Sequence, residues 1–236
     1  MNKVKRAIIM AAGVGERMKP VTLHTPKPLV RINGVRLIDT VIQSLHRNGI
    51  TEIYVVTGYL KEQFESLEEE YPGLKLIENP YYSECNNISS LYVARDYIED
   101  VMILDGDQLI RNPNVLQPFF GYSGYNAVWT DGHTDEWLMT VHDGAVMSCS
   151  RDGGKRGWQL FSISRWNAED GRRLAAHLER EFGREESRGL YWDDIAMFRY
   201  PAEYKLGIYQ MKRGDVTEVD SLEELIALDE SYRKYL

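Results

Sequence analysis

The chain reads as an alternation of short apolar runs and amphipathic segments. Arg6 to Ala12 is a β-like apolar run, and Leu37, Ile38, Val41, Ile42 and Leu45 then recur at the spacing of one helix face. Glu52 to Thr57 predicts the next strand, Lys61 to Glu70 a helix turned inward on Phe64 and Leu67, and Lys75 to Glu78 a further strand. Ser89 to Tyr97 follows as a helix and Val101 to Leu104 as a short buried strand. Strands alternating with helices in this way predict βαβ units, and hence an α/β fold whose mostly parallel sheet carries helices on both faces. From Tyr125 to Ser164 the pattern changes to strands broken by Asp143-Gly144 and Asp152-Gly153-Gly154, which suits antiparallel hairpins. Helices are expected near Ala168 to Phe182 and Leu190 to Phe198, strands at Lys205 to Met211 and Val216 to Val219, and a last helix opened by a capping box of Ser221 and Glu224.

Composition narrows the classes. At 236 residues and 43% hydrophobic, the chain can bury a full core as one domain, 1–236, with no internal repeat, low-complexity tract or linker. Its longest apolar runs fall far short of the roughly 20 residues that span a bilayer, so no membrane insertion is expected. The first residues lack the pattern of a signal peptide, which leads to the expectation of a cytoplasmic location. A net charge of -8, from 28 basic and 36 acidic residues, argues against a broad nucleic-acid surface. Cys85 and Cys149 have no cysteine or histidine partner at metal-ligand spacing, and the five histidines are likewise scattered.

Candidate chemistry sits at two strand ends. After the first strand comes Ala11-Ala12-Gly13-Val14-Gly15-Glu16-Arg17-Met18, then Pro26-Lys27-Pro28-Leu29. Glycines just past a buried parallel strand let backbone amides surround a phosphate, and Arg17 and Lys27 supply the positive charge. The Walker loop would need Gly-Lys-Ser/Thr at its end, and the dinucleotide fingerprint a third glycine where Met18 stands. The second strand end is Asp105-Gly106-Asp107, two carboxylates at the sheet edge where open α/β folds bind ligands. Reactions of nucleoside triphosphates use magnesium, which favours a few carboxylate oxygens together with phosphate and water, and Asp220 is the best candidate for a second acid. Asp-Gly-Asp could instead be a solvated turn, and Asp220 could merely support the adjoining helix N-terminus.

With these motifs in place, the sequence resembles the sugar-phosphate nucleotidyltransferase (pyrophosphorylase) superfamily, most closely the bacterial CTP:phosphocholine cytidylyltransferases. The glycine loop, Thr25-Pro26-Lys27-Pro28-Leu29, Gly58-Tyr59, Asp105-Gly106-Asp107 and Glu218-Val219-Asp220-Ser221 carry it, and Asn86-Asn87-Ile88-Ser89-Ser90-Leu91, Glu136-Trp137 and Tyr191-Trp192-Asp193 point to the choline branch. The resemblance implies a Rossmann-like nucleotidyltransferase fold with a nucleotide-binding half, 1–124, and an acceptor-binding half, 125–236. It implies that Ala11 to Gly15, Arg17 and Lys27 surround the triphosphate of CTP, that Tyr59, Asn87, Ser90 and Asp105 contact the nucleotide, and that Asp107 and Asp220 hold Mg2+. Glu16 departs from the Ser or Thr frequent at that position in the superfamily.

The resemblance implies transfer of the cytidylyl group of CTP to phosphocholine, giving CDP-choline and pyrophosphate; a trimethylammonium offers no N–H donor and calls for aromatic faces with negative charge nearby. Glu136 with Trp137, and Tyr191 and Trp192 with Asp193, fit that requirement. Fewer aromatics and a hydrogen-bonding carboxylate would suit a primary ammonium, as in 2-aminoethylphosphonate or phosphoethanolamine; a sugar 1-phosphate would need hydroxyl-binding groups. A metal-dependent glycosyltransferase could also use Asp-x-Asp, but does not need the glycine and Pro-Lys-Pro loops. A noncatalytic nucleotide-binding regulator would often have lost Asp107 and Asp220.

Overall fold

The computed structural model describes residues 1–236. Its centre is a nine-stranded mixed sheet. Strands β1 (Arg6–Ala11), β2 (Glu52–Thr57), β3 (Leu74–Glu78) and β4 (Val101–Asp105) are parallel and lie side by side in the order β3-β2-β1-β4. The sheet continues through β9 (Gly157–Trp166), antiparallel to β4, into β7 (Leu138–His142), β8 (Ala145–Ser150), β10 (Gly207–Gln210) and β6 (Gly124–Thr130). The ten-residue β9 joins the parallel and antiparallel portions, pairing with β6 along one edge and with β7 and β4 on the other.

Alternation along β1 divides the core. Ala7, Ile9 and Ala11 face α1 (Leu37–Arg47), while Ile8 and Met10 share the opposite cluster with α3 (Ile88–Val93) and α4 (Ala168–Phe182). A third cluster joins Met18, Val21 and Val30, from the loops after β1, to Val219, Leu222, Leu225 and Ile226 at α5 (Leu222–Leu228). This packing carries the end of the chain back to the glycine loop. Between β4 and β6, β5 (Gln108–Ile110) pairs antiparallel with β11 (Val216–Glu218), so the segment after Asp107 and the segment before Asp220 run together.

The expected capping box is present: Ser221 Oγ accepts from the Glu224 amide and Glu224 Oε2 from the Ser221 amide. Three expected helices differ: residues 89–97 divide into α3, which ends at Val93, and a 3-10 turn, Arg95–Tyr97. Residues 61–70 divide into a 3-10 turn, Lys61–Phe64, and the short α2, Ser66–Glu70. No α-helix runs over 190–198; a loop is followed by a wide π-type turn, Ile195–Arg199. Side chains there take up backbone amides, since Asp194 Oδ2 accepts from Tyr191 N and Asn87 Oδ1 from Trp192 N. No helix is long and apolar enough to cross a membrane.

Candidate active site

The cleft opens at the carboxyl ends of β1 and β4, where the parallel order meets β9. In the first loop, Gly15 takes φ +69, and a Cβ there would approach Thr22 Cγ2 to 3.0 Å and Lys27 Cβ to 3.2 Å. Thr22 Oγ1 closes the turn by donating to Gly15 O at 2.8 Å. Gly13, Val14 and Gly15 are exposed or half-buried beyond the buried Ala11 and Ala12, which leaves the loop open to a ligand. Glu16, the position that departs from the superfamily pattern, is exposed and paired with Lys19 at 2.6 Å.

Gly106 permits the acidic turn: its amide bonds to Met10 O at 2.9 Å, and a Cβ would come within 3.2 Å of Ile9 Cγ2 and of that same carbonyl. Asp107 is thereby held beside Lys27, whose ammonium lies 2.6 Å from Asp107 Oδ2 and 2.7 Å from Asp220 Oδ1. Arg17 Nη2 approaches Asp220 Oδ1 to 3.1 Å from the exposed side. Burial would depress an amine, but the two carboxylates win and hold the Lys27 pKa above its usual value. The four residues singled out from distant parts of the sequence thus form one cluster.

Asp105, Asp107, Glu136, Asp193, Glu218 and Asp220 line one cavity with Asn87, Trp137 and Tyr191, together with Leu160 and Ser162 from β9. So many acids crowd each other. Desolvation, then Asp107, Asp193 and Glu218, push the Asp105 carboxyl well above its ordinary value. Burial raises Glu218 to about 8 against a hydrogen bond from Gln108 Nε2 at 2.9 Å, and raises Asp193 to about 7. Asp193 Oδ1 is buried without a well-oriented donor, although the Tyr125 hydroxyl is close enough to favour the ionised form. A cavity of this charge demands cations.

The donor set fits magnesium. Two carboxylate oxygens, Asp107 Oδ2 and Asp220 Oδ1, converge on one point now held by an ammonium, and both side chains keep about a third of their surface, 28% and 30%, open for water or phosphate. No group of three or more His, Cys, Asp or Glu side chains is arranged to hold an ion alone. Hard oxygen donors that are few in number and completed by phosphate suit this ion.

A second pocket adjoins the first through Asn87 and is lined by Ala12, Gly13, Asn79, Tyr82, Cys85, Asn86, Ser89 and Ser90. Ser90 is buried and its hydroxyl accepts from Asn79 Nδ2 at 3.0 Å. Tyr59 adjoins the second pocket through its amide, which donates to Ala12 O at 3.1 Å, and its hydroxyl donates to Thr22 O at 2.9 Å and straps the glycine loop.

The aromatic expectation is half met. Trp137 and Tyr191 meet at an interplanar angle of 82° with centroids 5.8 Å apart, at the cavity wall. Trp192 does not reach the cavity. It is 1% exposed and packs against Tyr125 and Trp166 in the core beneath. Its placement as an acceptor contact is corrected: the Trp192 amide donates to the remote Asn87 Oδ1 at 2.9 Å, and the Trp192 side chain lies in the core while Tyr191 lines the cavity. Trp192→Ala is accordingly expected to act on folding, costing about 3 to 5 kcal/mol in a denaturant titration, with less effect on the acceptor Michaelis constant at a permissive temperature than Trp137→Ala.

Sequence reasoning missed Glu218, Ser162, Asn79, Tyr82 and Cys85 as lining residues. Glu218 sits two residues before Asp220 and Asn79 directly follows β3, so a carboxyl-end reading of every strand would have found both. Ser162, Tyr82 and Cys85 carry no such signal.

A MobA-like NTP transferase domain model matches residues 7–180. The 2-aminoethylphosphonate cytidylyltransferase of Lancefieldella rimae is 40% identical over 96% of this chain and 92% of its own length. The choline-phosphate cytidylyltransferase of Haemophilus influenzae is 34% identical over 92% and 93%. The solved structure of the CTP:phosphocholine cytidylyltransferase from Streptococcus pneumoniae superposes with a TM-score of 0.90 at 31% identity, over 97% of this chain and 99% of that one. Full-length similarity of this degree, over a cleft with the glycine loop, Lys27 and the acidic pair assembled, means that the chain belongs to the MobA-like NTP transferase domain family and is a nucleotidyltransferase of the cytidylyltransferase type.

Proposed function

We propose that the chain transfers the cytidylyl group of CTP to 2-aminoethylphosphonate and releases pyrophosphate. The observation that carries this reading is the cavity wall, where the carboxyl groups of Glu136 and Asp193 stand with Trp137 and Tyr191. A primary ammonium supplies three N–H donors to such carboxylates; a trimethylammonium has none. The L. rimae relative, named for this acceptor, supports the same choice.

A phosphonate oxygen attacks the α-phosphorus of CTP in line, the bond from that phosphorus to the bridging oxygen breaks, and pyrophosphate leaves. The attacking group is already an anion, so the protein supplies no general base and acts by positioning and charge neutralisation. Arg17 and Lys27 bind the triphosphate at the glycine loop, Asp193 orients the ammonium, and Asn87, Ser90 and Asp105 contact the nucleotide. Asp107 and Asp220 would hold Mg2+, which supplies positive charge to the phosphates when bound.

Phosphocholine is the second reading, favoured by the perpendicular Trp137–Tyr191 corner and by the H. influenzae and S. pneumoniae relatives. Against a purely aromatic cage, the Arg151 guanidinium already lies 5.7 Å from the Trp137 centroid and 4.1 Å from that of Phe198. Pyrophosphate release is to be measured for CTP and UTP crossed with 2-aminoethylphosphonate, phosphocholine, phosphoethanolamine and glucose 1-phosphate. The expected result is the highest kcat/KM for CTP with 2-aminoethylphosphonate. A higher value for phosphocholine would transfer the acceptor assignment to the aromatic corner, where Trp137→Ala should then cost roughly tenfold in its Michaelis constant.

A further inference from the structure

Asp107 and Asp220 share a cation that belongs to the chain itself. The Lys27 ammonium sits within 2.7 Å of both and its side chain is only 10% exposed. It is fixed from two directions: the turn Lys27–Leu29 is buried, and the Lys27 Cβ lies against the glycine loop at Gly15. A salt bridge of this kind closes the very point on which the two carboxylates converge.

We propose that Lys27 is a built-in counterion that keeps the Asp107–Asp220 pair shut to divalent cations until a triphosphate draws the ammonium away, so that metal enters with the nucleotide and binds the free protein only weakly. The inference rests on the reading of Asp107 and Asp220 as metal carboxylates. A divalent ion arriving alone would have to take both oxygens from Lys27 and leave a largely buried ammonium beside it without either acceptor, an arrangement more costly than the ion pair it replaces. A triphosphate changes the balance, because its oxygens replace the carboxylates as acceptors for the same ammonium. Arg17, exposed and 3.1 Å from Asp220, can follow the phosphates without a burial penalty. Lys27 therefore changes partners rather than losing them, and occupancy by metal and by nucleotide become coupled in the reciprocal way that linkage requires.

The test uses Mn2+ alone as the probe, its free concentration read by electron paramagnetic resonance on the full chain. Nucleotide-free wild type is expected to retain Mn2+ weakly, Lys27→Met at least about tenfold more tightly, and the double variant Lys27→Met/Asp107→Asn no better than wild type. Wild type with CTP should retain Mn2+ beyond the amount that the same CTP concentration binds without protein. Should Lys27→Met not fold, wild type labelled with 15N-lysine gives the same answer: the Lys27 ammonium resonance stays in place with Mg2+ alone and moves only when CTP is added. Equal Mn2+ affinity of Lys27→Met and wild type, or displacement of the Lys27 resonance by Mg2+ alone, overturns the proposal while leaving the metal carboxylates in place. Failure of wild type to retain Mn2+ even with CTP, together with unimpaired turnover of Asp107→Asn, overturns the metal assignment and this inference with it.

Discussion

Asp107→Asn is expected to lower kcat by on the order of 10³-fold or more while leaving the circular dichroism spectrum and unfolding midpoint close to wild type. The side chain keeps its shape, and its surroundings are polar and 28% open, so little packing is lost. On the proposed reading, what disappears is a carboxylate that would hold the metal at the reacting phosphates, and charge neutralisation there acts on the transition state more than on ground-state binding. Excess chelator added to wild type should reproduce the loss. Near-normal turnover of Asp107→Asn, or of wild type in chelator, would return Asp-Gly-Asp to the status of a solvated turn. Asp220→Asn separates two roles in the same way: as a metal carboxylate it should behave like Asp107→Asn, whereas a residue that only supports α5 would yield a slightly destabilised, active protein.

The second large effect is expected at Asp193, where stability and function should move in opposite directions. Burial raises this carboxyl to about 7, above the ordinary value of about 4 for an aspartate in the unfolded chain. Since the folded-state value is the higher one, the folded protein is favoured while Asp193 is protonated. That advantage is complete below about pH 4, declines as pH rises, and is gone above about 7. At pH 8 the wild type therefore carries the full cost of a buried carboxylate, up to about 4 kcal/mol for a shift of about three units. Asp193→Asn removes it, so the variant should unfold at a higher temperature than wild type at pH 8, and the gap should close towards pH 4.

Activity should show the reverse. Loss of a charged hydrogen bond to the acceptor ammonium, worth about 2 to 3 kcal/mol, raises the 2-aminoethylphosphonate Michaelis constant by roughly 30- to 150-fold. In wild type, kcat/KM for that acceptor should fall as pH drops through about 7, and Asp193→Asn should lack this limb. A variant stabilised at pH 8 but with unchanged acceptor kinetics would show Asp193 to be an isolated buried acid and would remove the support for a primary ammonium. The variant also bears on the rival substrate, since phosphocholine should lose less than 2-aminoethylphosphonate.

Much of this molecule was determined locally. Ala7, Ile9 and Ala11 against Ile8 and Met10 specify a two-faced buried strand, and the Gly-x-Gly that follows can only be a turn, because Gly15 needs positive φ. The capping box of Ser221 and Glu224 and the helix from Ala168 to Phe182 follow from neighbours three or four residues apart. Asp-Gly-Asp at the end of an apolar strand, Lys27 between prolines, and Asp220 before a helix were likewise legible as a chemistry, since residue type and position at a strand end sufficed.

Only the tertiary structure decided which side chains face the cleft. Tyr191, Trp192 and Asp193 are adjacent in sequence, yet Tyr191 and Asp193 line the cavity and Trp192 packs on Tyr125 and Trp166. Asn87, 105 residues away, accepts from the Trp192 amide, in a segment that does not form the helix that its apolar spacing predicts. A still longer separation, 193 residues, divides Lys27 from Asp220, joined because Met18 and Val21 bury against Leu222 and Leu225. Local pattern encodes the period of burial, whereas the direction of a side chain in an irregular loop depends on hydrogen bonds from remote segments, and the physical state of a carboxylate depends on how many others the fold crowds beside it.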